Sequence, residues 1–566
     1  MDHGDTTHGE TIVSFYWSIL YNHLCATLGR TNALLRPYEP LVLIALTLSG
    51  IFSVNLLLAL IDRLHSPGNW KILLFRFITA LPRMRSIKAQ KLREVKKSIF
   101  ESVHGKHPQL PYRQALPLKS MSADAIKSTA RQLSSSSAVD WKSGRMSGTV
   151  YPANEELSHL LIQMQELYLW TNPLHTDAFP SVRRMEAEVV RMCLTMFHGD
   201  ENSCGTMSSG GTESIMLACL AYRNRARKMG IHEPDMVIPE SAHTAFDKAG
   251  SVMNIRVIRV PLDPVTFKVN LKAFKAAITN RTCMLVASAP QFPHGIIDPI
   301  LEIAEIGLKR RIPVHVDSCL GGFLLPFMEE AGFPLEEFDF RVPGVTSISC
   351  DTHKYGFAAK GTSVIMYRNQ DLRSCQFFSC PDWSGGVYAS PTFAGSRSGA
   401  LIAACWSAML FHGQEGYVNS TRRIVSTARR IADGIRQIRG LKVLGEPMVS
   451  VVAFTSEDFD IYQLAHLMSV DADGKPSWGL NVLQFPSAVH LCVTDMHTRE
   501  GVAEAFLADL EEAARTLLKS PKQSSSGMAA VYGMCQLIPD RSLVASVAAS
   551  FLDACYATQS PSDETS

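Results

Sequence analysis

Between residues 235 and 367 the chain repeats one pattern: a short, nearly continuous apolar run, then a stretch with helical or turn character, then another run. The runs fall at 235–239, 255–260, 284–288, 312–316, 346–350 and 363–367. Strands apolar along their whole length, rather than at alternate positions, are covered on both faces. When helical patterns alternate with them, the economical solution is an α/β fold: a mostly parallel sheet with helices on both faces. We place this larger domain at 151–397. After the turn GSRSG, helical patterns from 398 to 438 lead into VSVVAFT and NVLQFPSAVHLCVT, a smaller C-terminal α+β domain over 398–555. Residues 556–566, ending in SPSDETS, read as a disordered tail. Residues 98–150 are polar and rich in proline and serine, as expected of an extended arm that clasps a partner subunit.

Four chemically distinct pieces sit on this frame in a fixed order. Ser209, Gly210, Gly211 and Thr212 open a helix expected to run to about Lys228 and stop at Gly230; its free backbone N–H groups and positive end suit a phosphate. His243 follows the run MVIP, where an imidazole can lie flat on an aromatic ring. Asp317 ends the run IPVHV, at the strand end where ligand crevices open, and a carboxylate there can keep a pyridine nitrogen protonated. His353 and Lys354 follow the next run, in DTHKYGFAAKG, and a lysine there can condense with an aldehyde. Phosphate, ring face, ring nitrogen and aldehyde together describe pyridoxal 5'-phosphate.

Seven stretches carry a family resemblance: SGTVY (147–151), NPLH (172–175), SCGTMSSGGTESI (203–215), PQFPHGIIDP (290–299), HVDSCLGGF (315–323), DTHKYGFAAKG (351–361) and DWSGGVYASPTFAGSR (382–397). From about residue 100 to 555 the chain resembles the sphingosine-1-phosphate lyases, membrane-anchored relatives of the group II pyridoxal-phosphate decarboxylases. It departs from their pattern at Ser318, where alanine is usual, and Ala359, where proline is usual. The resemblance implies a fold-type-I, transferase-like homodimer with active sites at the subunit interface, Gly385 and Gly386 lying near the neighbouring subunit's cofactor phosphate. It also implies that Tyr151, Asn172, His175 and Lys360 bind substrate phosphate or handle protons, Tyr151 and Lys360 alongside Lys354, Asp317 and His243 in catalysis. Phenol, amide, imidazole and ammonium all donate hydrogen bonds, as phosphate requires. The implied reaction cleaves the C2–C3 bond of a phosphorylated sphingoid base to a long-chain aldehyde and phosphoethanolamine. Two other readings stay open here: an amino-acid decarboxylase using the same cofactor, and a membrane-tethered scaffold with a vestigial site.

Leu41 to Ile61 is uncharged and 21 residues long, enough for a transmembrane helix. Ten basic residues between Arg63 and Lys97 follow it, against Arg30 and Arg36 shortly before. This places residues 1–40 in the lumen and the catalytic body in the cytosol, and the resemblance points to the endoplasmic reticulum. Residues 62–150 then form a basic juxtamembrane segment and the arm. A net charge of +2 offers no field for nucleic acid. The 13 cysteines show no CxxC pairing or zinc spacing, so no metal site is expected and the thiols should be free in a reducing compartment.

Overall fold

The computed structural model describes residues 79, 81–104, 112–134, 141–152, 154–470, 477–519 and 540–558. The apolar run 41–61, the N-terminal segment before it and most of the tail lie outside these. Among the described residues no helix is long and apolar enough to cross a membrane. The chain divides into two units: one takes in residues up to 105, 111–115 and 537–566, the other 106–110 and 116–536.

In the first unit the helix Pro82–His104 packs against the helix Arg541–Cys555. Met84, Leu92, Val95 and Ile99 recur at helical spacing on its less exposed side, where Lys88 also falls, and the other lysines and arginines of the helix are exposed. His104 closes the pair: Nδ1 meets the Tyr112 hydroxyl at 2.7 Å and Nε2 the Ala554 carbonyl at 2.8 Å.

The second unit is built on seven strands: β1 Cys204–Ser208, β2 Asp235–Pro239, β3 Arg256–Val260, β4 Thr282–Ser288, β5 Val314–Ser318, β6 Val345–Cys350 and β7 Ser363–Tyr367. Their order is β1-β7-β6-β5-β4-β2-β3. From β3 through β6 every pairing is parallel; β7 runs antiparallel to both its neighbours. The mostly parallel sheet is therefore observed, and the six apolar runs are β2 to β7. Sequence reading missed β1. Its residues, CGTMS, break any apolar run with Gly205, Thr206 and Ser208, and at Gly205 the backbone of β7 lies so close that a Cβ would stand 2.5 Å from the Ile365 carbonyl oxygen.

A short hairpin, β8 Phe378–Cys380 and β9 Tyr388–Ser390, precedes the 39-residue helical segment Gly399–Gln437, which breaks at Gly413 (φ 55°). A second, antiparallel sheet follows, with β10 Lys442–Val443, β11 Val451–Thr455, β12 Asn481–Leu483 and β13 Ala488–Cys492 in the order β10-β11-β13-β12. The arm is less extended than its composition suggested. Ala123–Ser134 forms a helix with no buried residue, so it is regular without being core. Residues 145–148 lie along the second sheet: Ser147 N donates to Gly479 O (2.9 Å) and Gly148 N to Cys492 O (3.0 Å).

Candidate active site

Because β2, β4, β5 and β6 run parallel, their C-terminal ends share one edge of the sheet, and the segments leaving them surround one cavity of about 380 Å³. His243 comes from the segment after β2, Ser288 from the end of β4, Asp317 from β5, and Lys354 and Lys360 from the loop after β6. Ser147, Gly148, Thr149 and Tyr151 of the arm and Asn481 and Cys492 of the second sheet line the same space. The sequence-named residues Lys354, Asp317, His243, Tyr151 and Lys360 thus converge on one cavity.

Lys354 lies with its Nζ 2.8 Å from Asp351 Oδ2. Burial opposes its charge, but the carboxylate of Asp351 outweighs that and holds the amine above the ordinary lysine range. Asp351 is buried, and burial alone would raise its pKa; Lys354 and His353 reverse this and keep it low. Its Oδ1 has no hydrogen-bond partner among the described residues. The same carboxylate sits against the start of the helix Gly211–Lys228, where a Cβ on Gly211 would stand 2.7 Å from Oδ2. Asp351 was not singled out from the sequence, although its position three residues before Lys354 was the available signal.

Asp317 Oδ1 accepts from Cys319 N (3.1 Å) and Ser349 Oγ (3.3 Å), which aims the carboxylate along the cavity floor. Cys319 is buried there, and desolvation pushes its thiol well up, away from reactivity. Ser318, the departure from the family pattern, donates to Ala289 O (3.0 Å), so its hydroxyl is satisfied. His243 Nδ1 accepts from Ala245 N (3.1 Å), which leaves the proton on Nε2. His353 Nδ1 is bound to Thr362 O, and burial holds the imidazole below its usual range.

The Tyr151 ring is edge-on to Tyr355 at 4.9 Å, and Lys360 Nζ stands 4.7 Å from the Tyr151 centroid. Burial raises the Tyr151 phenol, keeping it a neutral donor. Lys360 shifts the opposite way to Lys354: desolvation and repulsion from Lys354 lower it.

Other sequence-named residues lie elsewhere. Ser209 faces a separate cavity of about 210 Å³ with Gly361, Thr362 and Ser396, and its N–H donates to Glu213 Oε2 (2.7 Å). The N-cap residue Gly210 has no side chain to cap the helix that begins at Gly211, and among the described residues no hydrogen bond is made by the Gly211 and Thr212 N–H groups. Asn172 Oδ1 accepts from Leu174 N (3.1 Å) and Arg397 N (3.2 Å), His175 is exposed nearby, and neither lines the lysine cavity. Gly385 and Gly386 are exposed in the β8–β9 turn, where Gly386 has φ 104°.

The donor set fits pyridoxal phosphate: an amine for its aldehyde, a buried carboxylate for its ring nitrogen, an imidazole beside the cavity and an uncapped helix start. The carboxylate whose Oδ2 meets the amine keeps its other oxygen, Oδ1, without a hydrogen-bond partner among the described residues.

Comparison with known proteins agrees. The pattern of the pyridoxal-dependent decarboxylase conserved domain matches residues 108–457. Sphingosine-1-phosphate lyase 1 of Rattus norvegicus is 44% identical over 548 residues, covering 96% of this chain and 95% of its own. The sphingosine-1-phosphate lyase of Drosophila melanogaster is 47% identical over 487 residues, covering 86% and 88%. Among solved structures, the sphingosine-1-phosphate lyase of Burkholderia pseudomallei superposes with a TM-score of 0.70 at 40% identity, over 76% of this chain and 97% of that one.

Proposed function

Since the chain belongs to the sphingosine-1-phosphate lyase family and holds the pyridoxal-dependent decarboxylase fold, we propose that it cleaves the C2–C3 bond of phosphorylated sphingoid bases, releasing a long-chain aldehyde and phosphoethanolamine. One observation carries this choice over an amino-acid decarboxylase. Lys360 and Tyr151 bring a second cation and a neutral phenol into the same cavity as Lys354, a donor pair suited to phosphate.

Pyridoxal phosphate supplies an aldehyde that joins amines and a protonated ring that withdraws electrons from the bond to be broken. Lys354 would hold its aldehyde, Asp317 its ring nitrogen, His243 its ring face, and the Ser209–Thr212 turn with His353 its phosphate end. Asp351 holds the proton of the free Lys354 ammonium. Tyr151 and Lys360 grip the substrate phosphate, and this fixes the amino carbon over the cavity floor. The second sheet and residues 147–149 close the cavity against water, where electrostatic contacts are strongest. Incubation with a phosphorylated sphingoid base should give aldehyde and phosphoethanolamine in equal amounts. Carbon dioxide from an amino acid, with no aldehyde, would refute the assignment.

The protein works as a homodimer in which Asn172, His175, Gly385 and Gly386 serve the neighbouring subunit's site; that none of them lines the lysine cavity of their own chain supports this. Mixing Lys354→Ala subunits with Asn172→Ala/His175→Ala subunits should restore activity in the hybrids, and complete inactivity of the mixture would exclude shared sites. Residues 41–61 anchor the enzyme in the endoplasmic reticulum membrane with the body in the cytosol, a reading supported by the uncharged run and its basic flank. In sealed microsomes, protease should digest the body; a protected body would reverse the orientation.

A further inference from the structure

Opposite each other on β12 and β13 stand Asn481 and His490. His490 is fully buried, and its Nδ1 lies 2.9 Å from the carbonyl oxygen of Pro293. A carbonyl only accepts, so the ring proton is on Nδ1. Burial without an acid beside it keeps the ring neutral, with a pKa lowered to about 4. Nε2 is then a bare lone pair, and 2.9 Å from it is the Asn481 amide. Only the NH₂ end of that amide can face it. The same Nδ2 donates to Ser147 Oγ (3.1 Å), which also takes the N–H of Cys492 (2.8 Å). Both contacts fix the flip of the amide, and its Oδ1, which accepts no hydrogen bond among the described residues, is the end left for the cavity that Asn481 lines.

Asn481 is half-buried, and an amide oxygen open to a ligand cavity can accept from a donor on the ligand. Building on the proposed lyase reaction, the substrate has an amine, a C3 hydroxyl and a phosphate. The amine is committed to the cofactor and the phosphate only accepts, so the C3 hydroxyl is the donor that remains. Phe292 also lines the cavity and packs edge-on against His490 at 4.8 Å; its ring is 42% exposed, an apolar surface beside the amide. We propose that Asn481 Oδ1 accepts the hydrogen bond of the substrate C3 hydroxyl, with Phe292 as the first apolar contact of the alkyl chain attached to C3. Asn481 orients this hydroxyl and takes no proton from it, since an amide oxygen is not a base at neutral pH.

The test compares a phosphorylated sphingoid base with its 3-deoxy analogue, which binds without being cleaved, on the holoenzyme. In Asn481→Leu, kcat/KM for the 3-hydroxy substrate should fall on the order of tenfold or more, while Ki for the 3-deoxy analogue stays within about twofold. Asn481→Asp keeps an oxygen facing the cavity, its other oxygen being met by a proton taken up on His490 Nε2, and should retain the preference that the leucine variant loses. Equal weakening of both ligands in Asn481→Leu, or the same loss of preference in Asn481→Asp, would overturn the proposal. A parent enzyme that binds neither ligand would instead remove the lyase reading on which it rests.

Discussion

Lys354 and Lys360 share one loop, and their surroundings move them in opposite directions: Asp351 holds the first charged, while desolvation and its neighbour depress the second. An amine must lose its proton to attack an aldehyde, so Asp351 sets the pH at which cofactor couples to the apoenzyme. In Asp351→Asn burial acts unopposed, and the pH midpoint of coupling, followed by cofactor absorbance, should move down by roughly one to three units. An unchanged midpoint would remove Asp351 from this role. Lys354→Ala should abolish turnover with the fold intact; borohydride fixation of cofactor on a different lysine of the parent would contradict the assignment. Tyr151→Phe and Lys360→Ala should each lower kcat/KM by roughly tenfold to a hundredfold with little change in cofactor absorbance. Equal losses on phosphorylated and unphosphorylated bases would show that neither residue reads the phosphate.

At the scale of elements, the helix Gly211–Lys228 starts directly on Asp351, and only a residue without a side chain fits there. Gly211→Ala would drive a methyl group into the Asp351 carboxylate and the Cys319 sulfur, displacing the helix start from its anion-facing position. Cofactor should dissociate at least tenfold faster by absorbance, at a stability cost of about 1–3 kcal/mol. Wild-type retention would mean that the helix start does not hold the cofactor. The strands β2 and β4 to β7 were legible as short runs because they are buried on both faces, and the edge strand β3, with Arg256 and Arg259 exposed, from its valines and isoleucine. Strand β1 was not, because Gly205, where β7 leaves no room for a side chain, together with Thr206 and Ser208 interrupts its apolar residues. Lys354, Asp317 and His243 were legible from their places after apolar runs, whereas Tyr151 and Lys360 came through family resemblance. Asn481 had no such signal: its value comes from cross-strand register with His490 and from Ser147, far away in sequence.

Over the whole molecule, His294, His315, His490 and His497 are buried, and burial lowers each to about 4. The unfolded chain takes up these protons near pH 6.5. Stability is therefore full above about pH 6.5 and falls as acid is added through that point toward the folded values, with a slope on the order of 5 kcal/mol per pH unit near pH 5. Asp298, pushed up to about 7 by burial, works in the other direction, one group against these four and His412, which burial also lowers to about 4. The urea midpoint should fall clearly between pH 7.5 and pH 5; a flat midpoint would mean these imidazoles protonate inside the folded protein. The cavity also has a history within synthesis. Its roof joins residues 145–148 to residues 477–492 through the Ser147, Gly148 and Arg145 contacts. A nascent chain that has passed Lys354 already carries its lysine and both aspartates, yet lacks Asn481 and Cys492, the lining that the second sheet contributes. The cavity gains its last wall only when translation has passed Cys492.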